Sequence, residues 1–173
     1  MPLYDVEYVT PLSPDQQAAL AGALTDLHCT RFRTPRFFLN VRYADVRHQV
    51  VFRAGRRVHY NRIILRTRAS DSDRRPKHVY DEHCRDIIDV WASLVGTGPE
   101  RGLRTVWVLG ALTTAVECGI ARPNVGDEEQ WLEANMDHFR KLAASGDADF
   151  VELVREIDGD AEKIQGSQLA LSR

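Results

Sequence analysis

No apolar run in this sequence approaches the roughly 18 to 20 residues of a helical membrane span. The start, MPLYDVEYV, lacks the basic segment and long apolar stretch of a secretory signal. A cytoplasmic protein is expected. Cysteine is scarce: Cys29, Cys84 and Cys118 make an odd count with no CxxC pair, which argues for reduced thiols and against a disulfide framework or a zinc site. His78 and His83 lie near Asp81 and Cys84, but a spacing of i to i+5 sets the two imidazoles well apart around a helix, so no metal is expected. Neither a GxGxxG nor a GxxxxGKS/T loop is present, which removes the usual nucleotide cradles, and no cofactor is expected. A strong excess of positive charge is missing too. Lys+Arg number 23 against 25 Asp+Glu, a formal charge of −2, and no nucleic-acid reader motif is present. What remains is a 173-residue chain, 43% apolar, able to build the core of an ordinary soluble domain.

The charge is unevenly spread. Arg53 to Lys77 holds nine bases and two acids, Asp71 and Asp73, and is a candidate anion site; Asp127 to Lys163 inverts the balance with twelve acids and four bases. These shifts suggest a main domain over 1–126, an acidic helical extension over 127–158 and a flexible tail over 159–173.

Leu3 to Val9 alternates apolar and acidic residues and reads as a strand that begins immediately after Pro2. Ser13 is placed to cap a helix, with Pro14 at its first position and Gln16 at its third, and Leu20, Leu24 and Leu27 follow on one face; the helix should run to about Cys29. Phe37 to Tyr43 reads as the next strand, and Val50 to Val58 around Ala54-Gly55 as a short hairpin. The pattern then repeats: a strand over Tyr60 to Thr67, a helix carrying Tyr80, Cys84, Ile87, Ile88, Trp91 and Leu94, and a strand over Thr105 to Leu109. Two β-α-β units with right-handed crossovers predict an α/β (α+β) domain, one four-stranded sheet with two helices on one face. Two further helices, about 127–143 and 148–157, should dock outside it.

Pro2 is the most informative residue for chemistry. Removal of Met1 leaves a secondary amine as the chain terminus, and an α-amino group titrates near ~7.7–8.0, a value that desolvation and neighbouring arginines lower. Such a group can serve as base or acid. If Met1 stays, the nitrogen is an amide and the chemistry is lost. Met-Pro is also a common, functionless beginning.

A strand starting at Pro2 inside a doubled β-α-β chain resembles the tautomerase superfamily, whose amino-terminal proline is the catalytic group. More narrowly the chain looks like the cis-3-chloroacrylic acid dehalogenase-like branch. The resemblance rests on MPLYDVEYV, SPDQQAALAGALTDLH, FFLNVRY, the arginine-rich segment after NRIILRTR, and WVLGALTTAVECG followed by GDEEQW, and spans about residues 1 to 132. It implies a tautomerase-like fold, a homotrimer, no cofactor, and a small carboxylate substrate. Carried over by position, Pro2 matches the catalytic proline and His28 the histidine that binds the substrate carboxylate. Arg68 matches the first arginine, Arg74 or Arg75 the second after an insertion of Ser70-Asp71-Ser72-Asp73, and Glu117 the glutamate that activates water. Forked guanidinium donors suit a carboxylate, and a pocketed glutamate suits general-base work. Bland readings stand beside these: His28 as a histidine near a helix end, the arginines as a solvated loop, Glu117 as an exposed turn residue.

One departure bears on the reaction. Leu109 stands where the resemblance calls for a tyrosine after the Trp-Val pair, so a positioning hydroxyl is missing and hydrolytic dehalogenation is the less supported outcome. Tautomerisation needs a neutral Pro2 that accepts a proton; hydration or dehalogenation of an unsaturated acid needs a cationic Pro2 that delivers one. The alternative is a binding or assembly protein that keeps the fold without the chemistry.

Overall fold

In the computed structural model of the chain the described residues are 2–67, 76–110, 116–117, 120–121, 123 and 127–170, with the side chains of 116–117 and 160–170 outside that description. Strand β1 (Leu3–Tyr8) pairs in parallel with β2 (Asn40–Asp45) and antiparallel with β5 (Asn61–Arg66), and β5 pairs in parallel with β6 (Leu103–Leu109). The sheet order is β2-β1-β5-β6. Each parallel pair is joined through a helix, α1 (Pro14–Phe32) or α2 (Lys77–Leu94), as the paired β-α-β reading requires.

Alternation along β1 sorts the two sheet faces. Tyr4 and Val6 bury against Leu20 and Leu24 of α1 and join Ile63, Leu65, Ile87 and Trp91 in one core. Asp5 and Glu7 point the other way, where Arg42, Arg62 and Arg66 meet them. Helix α1 begins as expected: the Ser13 hydroxyl accepts from the Gln16 amide and the Gln16 side chain accepts from the Ser13 amide, both at 3.1 Å. It ends a turn later than the sequence suggests, at Phe32, with Arg33 in the left-handed region. The hairpin forms as β3 (Val51–Arg53) and β4 (Arg56–Val58), and both turn residues, Ala54 and Gly55, take positive φ.

The expected strand over Phe37 to Tyr43 is corrected. Arg36–Phe38 is a single 3-10 turn and the strand starts at Asn40. Phe37 and Phe38 are turned away to pack on Phe150 and Trp131 of the extension, with ring centroids 5.0 and 5.5 Å apart. That extension is two helices, α3 (Glu128–Ala144) and α4 (Ala148–Ala170), around Phe139, Phe150 and Leu153. Helix α4 continues past Asp158, where the tail was expected to begin. Before α3, β7 (Val116–Glu117) and β8 (Ile120–Ala121) form a two-residue ladder that the sequence reading did not foresee. No helix among the described residues is long and apolar enough to cross a membrane.

Candidate active site

The sheet register brings the candidate residues, or the chain that carries them, to one end of the sheet. Pro2 opens β1 and is buried; its carbonyl accepts from the Asn40 amide at 3.1 Å. Leu3 lies opposite Arg66, Arg66 lies opposite Leu109, and the Thr67 amide donates to the Leu109 carbonyl at 3.0 Å. The start of β1 and the ends of β5 and β6 therefore meet. Arg68, Arg74 and Arg75 lie outside the described residues, but Thr67, which precedes them, is fixed at this end. Leu109, which precedes the segment leading to Glu117, is fixed there too. The Glu117 backbone belongs to β7; its side chain is outside the description.

A second tie comes from the extension. The Trp131 indole donates to the Ala121 carbonyl at 2.8 Å and packs at a tilt against Phe38, two residues before Asn40. Both carboxylate oxygens of Glu156 accept from the Arg36 amide at 3.1 Å and so hold the start of the 3-10 turn. The hairpin bearing Glu117 and the strand entry beside Pro2 are thus braced by α3 and α4.

His28 is where α1 meets β1, 1% exposed. Its Nδ1 is 2.7 Å from the Tyr4 hydroxyl, and the same hydroxyl is 2.8 Å from Nε2 of His83 on α2. Tyr4 is two residues from Pro2 on the same face of β1, about 7 Å along the strand. The Tyr4 hydroxyl thus joins one histidine of each helix. Burial pushes the Tyr4 phenol far above its ordinary range. Burial, helped by the Arg31 guanidinium and opposed by Asp86, pulls the His83 imidazole down to about 4, so His83 is neutral at pH 7. Tyr4 and His83 were not foreseen as site residues.

On the other face of β1 the Asp5 carboxylate, 3% exposed, accepts from Arg42 Nε at 2.7 Å and Arg66 Nε at 3.0 Å. One anion between two cations leaves a net positive charge beside the strand that opens at Pro2. The Arg62 guanidinium pairs with Glu7 and lies 5.4 Å over the Trp107 ring. A cavity of about 430 Å³ lies between the 3-10 turn and α4, but Asp149, Glu152 and Glu156 outnumber Arg36 and Arg155 in its wall. That sign disfavours a carboxylate in this cavity. Among the described residues no group of three or more His, Cys, Asp or Glu is placed to hold a metal ion.

Comparison with known structures agrees with this architecture. N1, a member of the cis-3-chloroacrylic acid dehalogenase family, superposes with a TM-score of 0.63 at 24% identity, over 87% of this chain and 99% of that one. The F6 fused 4-OT wild-type asymmetric trimer gives 0.54 at 12% identity, over 69% and 94%. MIF2 of Leishmania major gives 0.52 at 12% identity, over 70% and 97%. At these identities the likeness is one of fold. No curated protein matches in sequence. Residues 1–136, from the strand that Pro2 opens to the middle of α3, match the family model described as "Putative oxalocrotonate tautomerase enzyme", and the chain belongs to that tautomerase family.

Proposed function

We propose that the protein is a cofactor-independent enzyme in which the Pro2 nitrogen, freed by removal of Met1, transfers a proton to or from a small unsaturated or 2-oxo carboxylate. The observation that carries this reading is the convergence at one sheet end of Pro2, Thr67 before the arginine segment, and Leu109 before the Glu117 segment. Arg68 with Arg74 or Arg75 holds the carboxylate, His28 hydrogen-bonds it, and Glu117 activates water where water is the second reactant. Leu109, 37% exposed at the end of β6, supplies no hydroxyl, which favours tautomerisation over hydrolytic dehalogenation.

The active unit is a homotrimer. The sheet face opposite the helices exposes Trp107 and Leu109 beside the charged pairs of Asp5 and Glu7, an apolar and ionic surface suited to covering by further copies. The fused 4-OT structures that share the fold are themselves trimers.

The test is turnover of phenylpyruvate enol, 2-hydroxymuconate and the isomeric 3-chloroacrylates, with intact mass measured on the same sample. Protein lacking Met1 should turn over at least one of them and sediment at three chain masses. Processed protein inert towards the whole set would overturn the reading and leave the binding or assembly alternative.

A further inference from the structure

The loop that joins α2 to β6 is fixed from several sides. The Trp91 indole donates to the Arg101 carbonyl at 2.7 Å, and the Arg101 guanidinium donates to the Val95 carbonyl at 2.9 and 2.7 Å. Asn61, 1% exposed, donates to the Arg101 and Gly102 carbonyls at 3.2 Å, and the Thr10 hydroxyl donates to the Glu100 carbonyl. The Gly102 amide closes the loop on the Gly98 carbonyl at 2.8 Å. That closure needs glycine, because a Cβ on Gly102 would stand 2.7 Å from the Gly98 oxygen. Donors spent on backbone carbonyls in this way hold the loop in one geometry.

Against this loop lies a cavity of about 510 Å³, larger than the acidic one beside α4. It sits where β5 and β6 begin: Asn61 lies opposite Leu103 there, whereas Arg66 and Leu109 mark the Pro2 end. The two ends are about 20 Å apart along β6. Ile88 and Ala92 of α2, Pro99 of the loop and Leu103 of β6 give the cavity an apolar wall, in which Ile88 is left 37% exposed. The charge in that wall has one sign. Arg104 lines it and no carboxylate does, and the Arg104 guanidinium has no carboxylate partner among the described residues. His59 lines it too, but its Nε2 is engaged by the Arg47 carbonyl at 3.2 Å, which leaves Arg104 as the fixed charge.

An apolar slot of this size with a convergent charged group is the usual make-up of a small-molecule site, and a guanidinium suits a carboxylate. Because the loop is already ordered, a ligand would lose little to arranging it. We propose that the cavity between α2 and the start of β6 is a second binding site, for a small carboxylate with an apolar body: Arg104 holds the carboxylate, and Ile88, Ala92 and Leu103 hold the body. The site does not depend on the reading proposed for Pro2, since it needs neither removal of Met1 nor a trimer.

The probe is phenylacetate, a carboxylate on an aromatic body, titrated into the full chain labelled with nitrogen-15 and followed by amide proton–nitrogen NMR. The amides of Gly96, Gly98, Leu103 and Arg104 should shift and saturate, with a Kd in the millimolar range or tighter. The alcohol 2-phenylethanol keeps the ring without the charge and should bind at least roughly tenfold more weakly. Arg104→Gln, a change at an exposed residue, should weaken phenylacetate about tenfold and leave 2-phenylethanol as it was. Shifts confined to Leu3, Asn40 and Thr67 would place the probe at the Pro2 end and overturn the proposal. So would shifts that never saturate, equal affinity for the alcohol, or an Arg104→Gln chain that binds phenylacetate like wild type. Turnover is not measured, so an inert enzyme would not disturb the result, and a failed titration would leave the Pro2 reading as it stands.

Discussion

The protein has two cores built on different terms. The sheet core around Tyr4, Val6, Leu20, Ile63 and Trp91 also encloses His28 and His83. The extension core around Phe139, Phe150 and Leu153, with Trp131 and Phe37 against it, is made of apolar and aromatic side chains whose rings lie 5.0 to 5.5 Å apart. Burying polar groups costs free energy unless each finds a partner, and packing alone would be better served by leucine at 28 and 83. The sheet core accepts that cost within reach of Pro2. The extension core contributes packing, and through Phe37, Phe38 and the Glu156 contact to Arg36 it fixes the strand entry beside Pro2. One core encloses buried polar groups beside the candidate site; the other is packing alone.

The largest effect expected from breaking this division is chemical. Pro2→Ala, confirmed by mass to have lost Met1, should lower kcat by about 10²- to 10⁴-fold, the usual worth of a positioned acid or base, with the thermal midpoint and the oligomeric state unchanged. An alanine amine would keep a terminal nitrogen but not the ring that fixes its direction. Retained turnover would move the chemistry away from the sheet core.

The converse break falls on the other core. Phe139→Ala removes a fully buried ring from between Trp131 and Phe150 and should cost about 3 to 5 kcal/mol, read as a fall in the urea midpoint. An unchanged midpoint would show that the extension adds no stability.

How much of this was legible in the sequence follows from the range of each interaction. The Ser13-Pro14-Gln16 cap, the alternation of β1 and the Ala54-Gly55 turn are set by neighbours within a few residues, and each formed where the sequence pointed. The strand at Phe37 failed because two aromatics with strand propensity are claimed by Trp131 and Phe150, about a hundred residues away. The second helix was legible as a helix but not in its detail. Its buried stripe is His83, Ile87 and Trp91 at i, i+4 and i+8, so a histidine stands in plain phase with two core residues, whereas Cys84, one position on, is only partly buried. Pro2 stands out as a candidate because an N-terminal proline is marked by its position in the chain alone. Tyr4 was not, because a tyrosine on an inward strand position looks like ordinary core until two histidines are found on its hydroxyl.

A pH experiment sharpens the comparison with a smaller effect. His83 titrates near 6.5 when unfolded and at about 4 when folded. Between those values the unfolded chain binds a proton that the native state refuses, so stability is full above pH 6.5 and falls as pH drops towards 4. The loss is on the order of 3 kcal/mol. Denaturant melts of wild type and His83→Gln across this window should show the steeper acid loss in wild type. Equal slopes would mean that His83 is solvated and outside the polar array.

The smallest effect belongs to the frame of the sheet core. Ser13→Ala removes the hydroxyl that accepts the Gln16 amide and should cost about 1 kcal/mol, seen as a lower thermal midpoint. His28 lies fifteen residues further along α1, anchored there by its own bond to Tyr4, so turnover and KM should stay at wild-type values. If KM rose with so small a loss of stability, the position of His28 would depend on the whole helix and not on the local array, and the boundary drawn between chemistry and frame would have to move into α1.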